Sequence, residues 1–153
     1  MNEPTADLQD IYRRTVLEHS RHPHNFGRPD EFDQEATGFN PLCGDRLSVY
    51  LQTGAGDMLH AAFEGTGCAI CIASASMMTD ALQGQPVARA RQLIRAVHAM
   101  FSDSSCANDE VPADMQALAG VRNYPSRIKC ATLAWTTLDA ALSGNTQQVS
   151  TEN

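Results

Sequence analysis

The sequence predicts an α+β chain, with strands grouped in its first half and helices behind them. Three observations predict this class. Residues 46–63 alternate apolar and polar side chains on either side of a glycine-rich turn. Residues 86–101 and 126–142 instead repeat apolar residues at three- and four-residue spacing. Between them, the segment after Cys68 is a run of small residues suited to a tightly packed helix.

In chain order, Leu8, Ile11, Tyr12, Thr15 and Val16 form one apolar face, predicting a helix from Asp7 to about His19 with Asp7 as its N-cap. Pro23, Gly27 and Pro29 break the stretch from Arg21 to Pro29, so it is a loop. A weak signal places a strand at 36–40. Leu47, Val49 and Leu51 mark a half-buried strand from Arg46 to Gln52; Gly54-Ala55-Gly56-Asp57 turns the chain, and Met58 to Phe63 returns as a hairpin partner. The small-residue helix begins at Cys68 and ends at Gly84. Pro86 opens the next helix, with Val87, Ala90, Leu93, Ile94, Val97, Met100 and Phe101 on its apolar face and Arg89, Arg91 and Arg95 on a solvated one. Ser102 to Glu110 is polar and reads as a mobile loop. Pro112 to Ala119 is a short helix, and Ser126 to about Leu142 a long one with Ile128, Ala131, Trp135, Leu138 and Leu142 in its core stripe. These elements make a single domain over 7–142, with 1–6 and 143–153 as disordered tails.

Composition narrows the function classes. A chain of 153 residues with 42% hydrophobic content can bury a core without disulfide staples. No stretch has the length of a membrane span, and Met1 to Leu8 is too polar and acidic for a signal peptide, so the expected compartment is the cytoplasm. There, five cysteines are metal ligands or reactive thiols in preference to a disulfide framework. The net charge of −7 argues against nonspecific nucleic-acid binding. Lysine occurs once, as Lys129, directly before Cys130.

Three cysteine motifs carry the chemistry: Asn40-Pro41-Leu42-Cys43-Gly44-Asp45-Arg46, Gly65-Thr66-Gly67-Cys68-Ala69-Ile70-Cys71 and Arg127-Ile128-Lys129-Cys130-Ala131. Cys43 and Asp45, one residue apart, can project to the same side of an extended or turning segment, and Gly44 lets the backbone turn sharply between them. Cys68 follows Gly67 at a helix start, where unpaired N–H groups favour a thiolate. Arg127 and Lys129 stand close to Cys130 and would lower its pKa. Three thiolates and a carboxylate make a four-ligand set for zinc or for a thiolate-bound iron–sulfur cluster, provided the segments meet in space. Any one cysteine alone would more simply be a small buried hydrophobe. Cys71 reads as a packed bystander, with membership of the site left open, and Cys106 as an exposed loop residue. His19, His22 and His24 flank a proline-rich loop and read as surface or partner-contact residues in preference to a metal cluster. Met77 and Met78 read as core.

The order NPLCGDR, then FEGTGCAI with ASASMMTD, then YPSRIKCATLAW resembles the U-type iron–sulfur cluster assembly family, the IscU, NifU N-terminal and SufU group. His19, Pro23, Asn25 and Gly27 fit the same pattern. Lys129, where IscU-type members carry histidine, and the long span between Cys68 and Cys130 are similar to the SufU branch. The resemblance implies a small, mainly antiparallel three-stranded sheet packed against several helices, with a metal site at one exposed end. It implies the ligands Cys43, Asp45, Cys68 and Cys130. Cys71 departs from the small polar residue usual in the family and leaves that set open.

Two functions follow from the resemblance. One is a sulfur acceptor bound to Zn2+, a sulfurtransferase in which Cys43 takes persulfide sulfur from a cysteine desulfurase, a SufS-like pyridoxal-phosphate enzyme. Docking would displace one ligand and free Cys43, with Asp45 retained and Arg127 positioning the site or the partner. The other is a non-enzymatic scaffold that assembles a transient iron–sulfur cluster on Cys43, Cys68 and Cys130 and passes it to downstream assembly or acceptor proteins. A third reading, a zinc-stabilised interaction protein without a sulfur role, uses the same ligands.

Overall fold

The structure, a computed structural model, describes residues 4–102, 111–144 and 148–150. Helix α1 (Pro4–Arg21) leads through a loop to strands β1 (Gln34–Asn40), β2 (Asp45–Thr53) and β3 (Leu59–Thr66). Helices α2 (Ala69–Leu82), α3 (Val87–Ser102), α4 (Ala113–Gln116) and α5 (Pro125–Leu142) follow, with a 3₁₀ turn at Ala119–Asn123 before α5, and strand β4 (Val149–Ser150) after it. The α+β class is as expected. Cys106 and the rest of the 103–110 segment lie outside the described residues.

Strands β1, β2 and β3 form an antiparallel meander. The sheet has four strands and not three, in the order β3-β2-β1-β4, because β4 adds to β1 in parallel, with Gly38 opposite Val149 and Phe39 opposite Ser150. Val149–Ser150 is therefore a strand within the stretch 143–153 that the sequence marks as a tail. Val149 packs against the core and β4 covers part of β1's outer edge, but two residues are too few to display a strand period. Asp7 lies inside α1, which starts at Pro4, where proline's fixed φ is tolerated. The expected helix at 112–119 is one turn of α4 passing into the 3₁₀ segment.

One face of the sheet carries the core. Its inward residues form cross-strand rungs: Ala36, Val49 and Phe63, then Gly38, Leu47 and Gly65. Helices α2 and α5 lie side by side on this face, with α1 packed on α2 and α3 on α5. The close approach of α5 to β1 depends on Gly38, where a Cβ would stand 2.0 Å from Thr137 Oγ1. The helices are tied by Trp135, whose Nε1 donates to Ser74 Oγ (3.2 Å), which donates to Ala131 O (2.6 Å). Met77 and Met78 are core, as expected. His22 and His24 are exposed, but His19 is buried, which corrects its surface assignment; it faces Ser76 on α2.

Candidate metal centre

The next inward rung of the sheet is polar: Asn40 on β1 opposite Asp45 on β2, both fully buried. It lies where the N-terminal ends of α2 and α5 meet the end of the sheet. Between its two residues the chain reverses through Pro41–Gly44. Gly44 takes φ +71, a left-handed conformation that disfavours other residues, and its N–H donates to Asn40 O at 2.9 Å. This turn leaves Cys43 exposed while Asp45 is fully buried two residues later.

Asp45 is held at both oxygens. Oδ2 accepts from Asn40 Nδ2 (3.1 Å), and Oδ1 accepts from the Cys68 backbone N–H (2.9 Å). Cys68 is the N-cap residue of α2, so the helix start serves the carboxylate directly. Cys130, in the second turn of α5, is buried with its Sγ 3.2 Å from Cys43 Sγ. Asn40 Nδ2 reaches Cys130 Sγ as well, at 3.5 Å. One ligand atom each from Cys43, Asp45 and Cys130 lie within 4.8 Å of one another. Cys68 borders this trio through its hydrogen bond to Asp45 without joining it at that distance. Gly67 makes the junction fit: a Cβ there would stand 2.8 Å from Asp45 Oδ1 and 3.0 Å from Cys71 Sγ.

The electrostatics correct one expectation. Burial pushes the Cys130 thiol well above its ordinary range, and hydrogen bonds to Cys43 and Asp45 add to the rise. The pull of the exposed Arg127 toward a thiolate is outweighed by this burial. The Arg127 guanidinium is instead raised, by its hydrogen bond to Cys130 and by the charges of Cys68, Cys130 and Cys43. A buried carboxylate beside a buried thiol and an exposed one is an arrangement that a cation relieves. The donors suit a borderline ion such as zinc: sulfur with one carboxylate oxygen, and an amide orienting two of them from behind. Cys71 is fully buried in the core cluster, and burial drives its thiol upward, with Asp45 adding to the effect. That is the environment of a packed thiol.

Asn40 is the residue that sequence reasoning passed over. Its only signal was its place at the head of the first motif, and its partners, Asp45 and Cys130, come from different segments. Next to the centre, an apolar groove of about 600 Å³ runs between α1, the 3₁₀ turn and the start of α5. Ile70, Leu118, Tyr124 and Arg127 line it, and Tyr124 is 63% exposed.

Residues 11–148 match the NifU-like N-terminal domain. The zinc-dependent sulfurtransferase SufU of Bacillus subtilis is 35% identical over 88% of this chain and 90% of its own length. The iron–sulfur cluster assembly scaffold protein IscU of Streptococcus pyogenes is 35% identical over 97% of this chain and 94% of its own. The crystal structure of a nitrogen-fixing NifU-like protein (N-terminal) from Brucella abortus superposes with a TM-score of 0.77 at 26% identity, over 90% of this chain and 96% of that one.

Proposed function

The chain belongs to the NifU-like N-terminal domain family, and from that premise we propose that it serves iron–sulfur cluster assembly as a zinc-bound sulfur acceptor for a cysteine desulfurase. The ligands are Cys43, Asp45, Cys68 and Cys130. The observation that carries this reading is the uneven exposure of the donors. Cys43 is exposed at a turn, whereas Asp45 and Cys130 are buried. The buried Asp45 and Cys130 would hold an ion while the exposed Cys43 thiol stays able to meet a partner.

Zinc, when bound, would supply stabilisation of the Cys43 thiolate. The chain's own residues do the rest. Asn40 holds Asp45 and Cys130 in place, and the α2 start holds the other oxygen of Asp45. Cys43 Sγ then attacks the outer sulfur of a persulfide on the desulfurase. A new S–S bond forms at Cys43, the S–S bond of the donor breaks, and the electron pair leaves with the donor thiolate. The groove beside Arg127 offers the desulfurase an apolar surface within reach of the centre. The SufU relative in Bacillus subtilis supports the reading.

A scaffold that assembles a cluster and passes it to acceptor proteins is the second reading, favoured by the IscU relative at the same identity. Desulfurase turnover separates the two. Zinc-loaded protein is expected to accelerate a pyridoxal-phosphate cysteine desulfurase and to gain one sulfur atom by mass, and Cys43→Ser to lose both effects. An unchanged rate with zinc-loaded protein would overturn the sulfur-acceptor reading. Equal iron and sulfide after anaerobic purification, transferable to an apo acceptor, would establish the scaffold instead.

A further inference from the structure

A second set of metal-ligating side chains lies away from the cysteines. His19 is near the end of α1, His24 is in the loop that follows, and Asp80 is in the last turn of α2. One ligand atom from each lies within 4.8 Å of the others, and the two imidazole rings are tilted with centroids 4.6 Å apart. We propose that His19, His24 and Asp80 form a site for a divalent transition-metal ion of the zinc, nickel or cobalt class, distinct from the cysteine centre and independent of the function proposed for it.

The groups behind these donors are already ordered. Ser76 Oγ is 2.7 Å from His19 Nδ1 and accepts the His24 backbone N–H at 2.8 Å, fixing one ring and the loop that carries the other. Asn25 Nδ2 donates to Asp80 Oδ1 at 3.1 Å, while Asp80 Oδ2 is hydrogen-bonded to His24 Nδ1. Outer partners of this kind orient metal ligands. Asp114 Oδ2, 3.2 Å from His19 Nε2, stands by as a further oxygen.

The geometry needs little change. Bonds of about 2.0–2.1 Å place tetrahedral ligand atoms roughly 3.3 Å apart, so His24 Nδ1 and Asp80 Oδ2, 2.5 Å apart, open by about 0.8 Å while the wider pairs close by at most about 1.5 Å from the 4.8 Å limit. The residues that move are the accessible ones, since the side chains of His24 and Asp80 are 47% and 41% exposed. That exposure is also the entry path. Binding takes the place of the hydrogen bond between His24 Nδ1 and Asp80 Oδ2. Two imidazoles and one carboxylate select a borderline divalent ion over calcium or magnesium. Asp80 lies twelve residues beyond Cys68 along α2, about 18 Å at the helical rise, so the two centres hold separate ions. Occupation would staple the end of α1 and its loop to α2.

The test is titration of protein already carrying one equivalent of zinc with nickel or cobalt, followed by calorimetry and thermal unfolding, with zinc release monitored. The expected result is a second equivalent, a raised Tm, and cobalt absorption without thiolate charge-transfer bands. His24→Gln and Asp80→Asn, both at exposed positions, should weaken this second binding about ten-fold or more. Zinc content and the Tm without nickel should stay at parental values. No second equivalent, a second equivalent with thiolate bands or released zinc, or binding that survives in both variants would overturn the proposal.

Discussion

Cys43 and Asn40 show how differently two residues of one motif can announce themselves. Cys43 stands out because thiols are scarce and a glycine and a carboxylate follow it. Asn40 has a residue type common in any turn, and its role comes only from bridging Asp45 and Cys130. Asn40→Ala should leave Asp45 Oδ2 and Cys130 without that donor and lower zinc affinity by about 10- to 100-fold, measured by competition with a chelator. The fold should persist, because the remaining Asp45 oxygen keeps its bond from the Cys68 backbone. Gly67→Ala acts by volume: its Cβ would press on Asp45 and Cys71. It should cost about 1–3 kcal/mol in denaturant unfolding and release zinc more readily. The rise of the Cys130 thiol ran against a reading based on adjacent charges. Adjacency in sequence says nothing of burial, and burial dominates here.

Among the elements, α3, α5 and the β2–β3 hairpin were legible because each repeats its pattern over enough residues to set a period, and α2 because its run of small residues is bounded by Gly67 and Gly84. The short pieces were not. One turn of α4, the 3₁₀ segment and β4 are fixed by what they pack against, and their sequences carry no periodic mark. The contact between α5 and β1 is the element-level feature most open to test. Gly38→Ala should drive Thr137 away and destabilise the protein by about 1–3 kcal/mol. Adding Thr137→Ala should recover part of that loss, leaving the milder approach of Leu133 Cδ1 at 3.0 Å. A double-mutant cycle in urea would measure the coupling, and strictly additive costs would show that the two residues do not compete for space.

The molecule as a whole has a stability window set from both sides by burial. His98 on α3 is lowered below its ordinary value by desolvation, with Asp139 opposing. The unfolded chain therefore takes up a proton first as pH falls, and stability drops from about pH 6.5 downward. His98→Gln should flatten that limb of a Tm profile. Cys71 is raised by burial, so the folded thiol keeps its proton while the unfolded one loses it. Stability of the metal-free protein should fall as pH rises above about 8.5, and Cys71→Ala should blunt the fall. The α+β class was legible because strands and helices segregate along the chain. The fourth strand was not, since its sequence mark is two residues long. That strand has a consequence for how copies of the chain treat each other. A row of unpaired backbone donors and acceptors along β1 would be a template for another copy's strand, and β4 occupies part of it. At the opposite border the loop before β1 covers β3, with Gly27 N–H donating to Phe63 O and Phe63 N–H to Asn25 O. Removing residues 145–153 should leave the cysteine centre and its zinc in place while opening one border, and light scattering should then report self-association that grows with concentration.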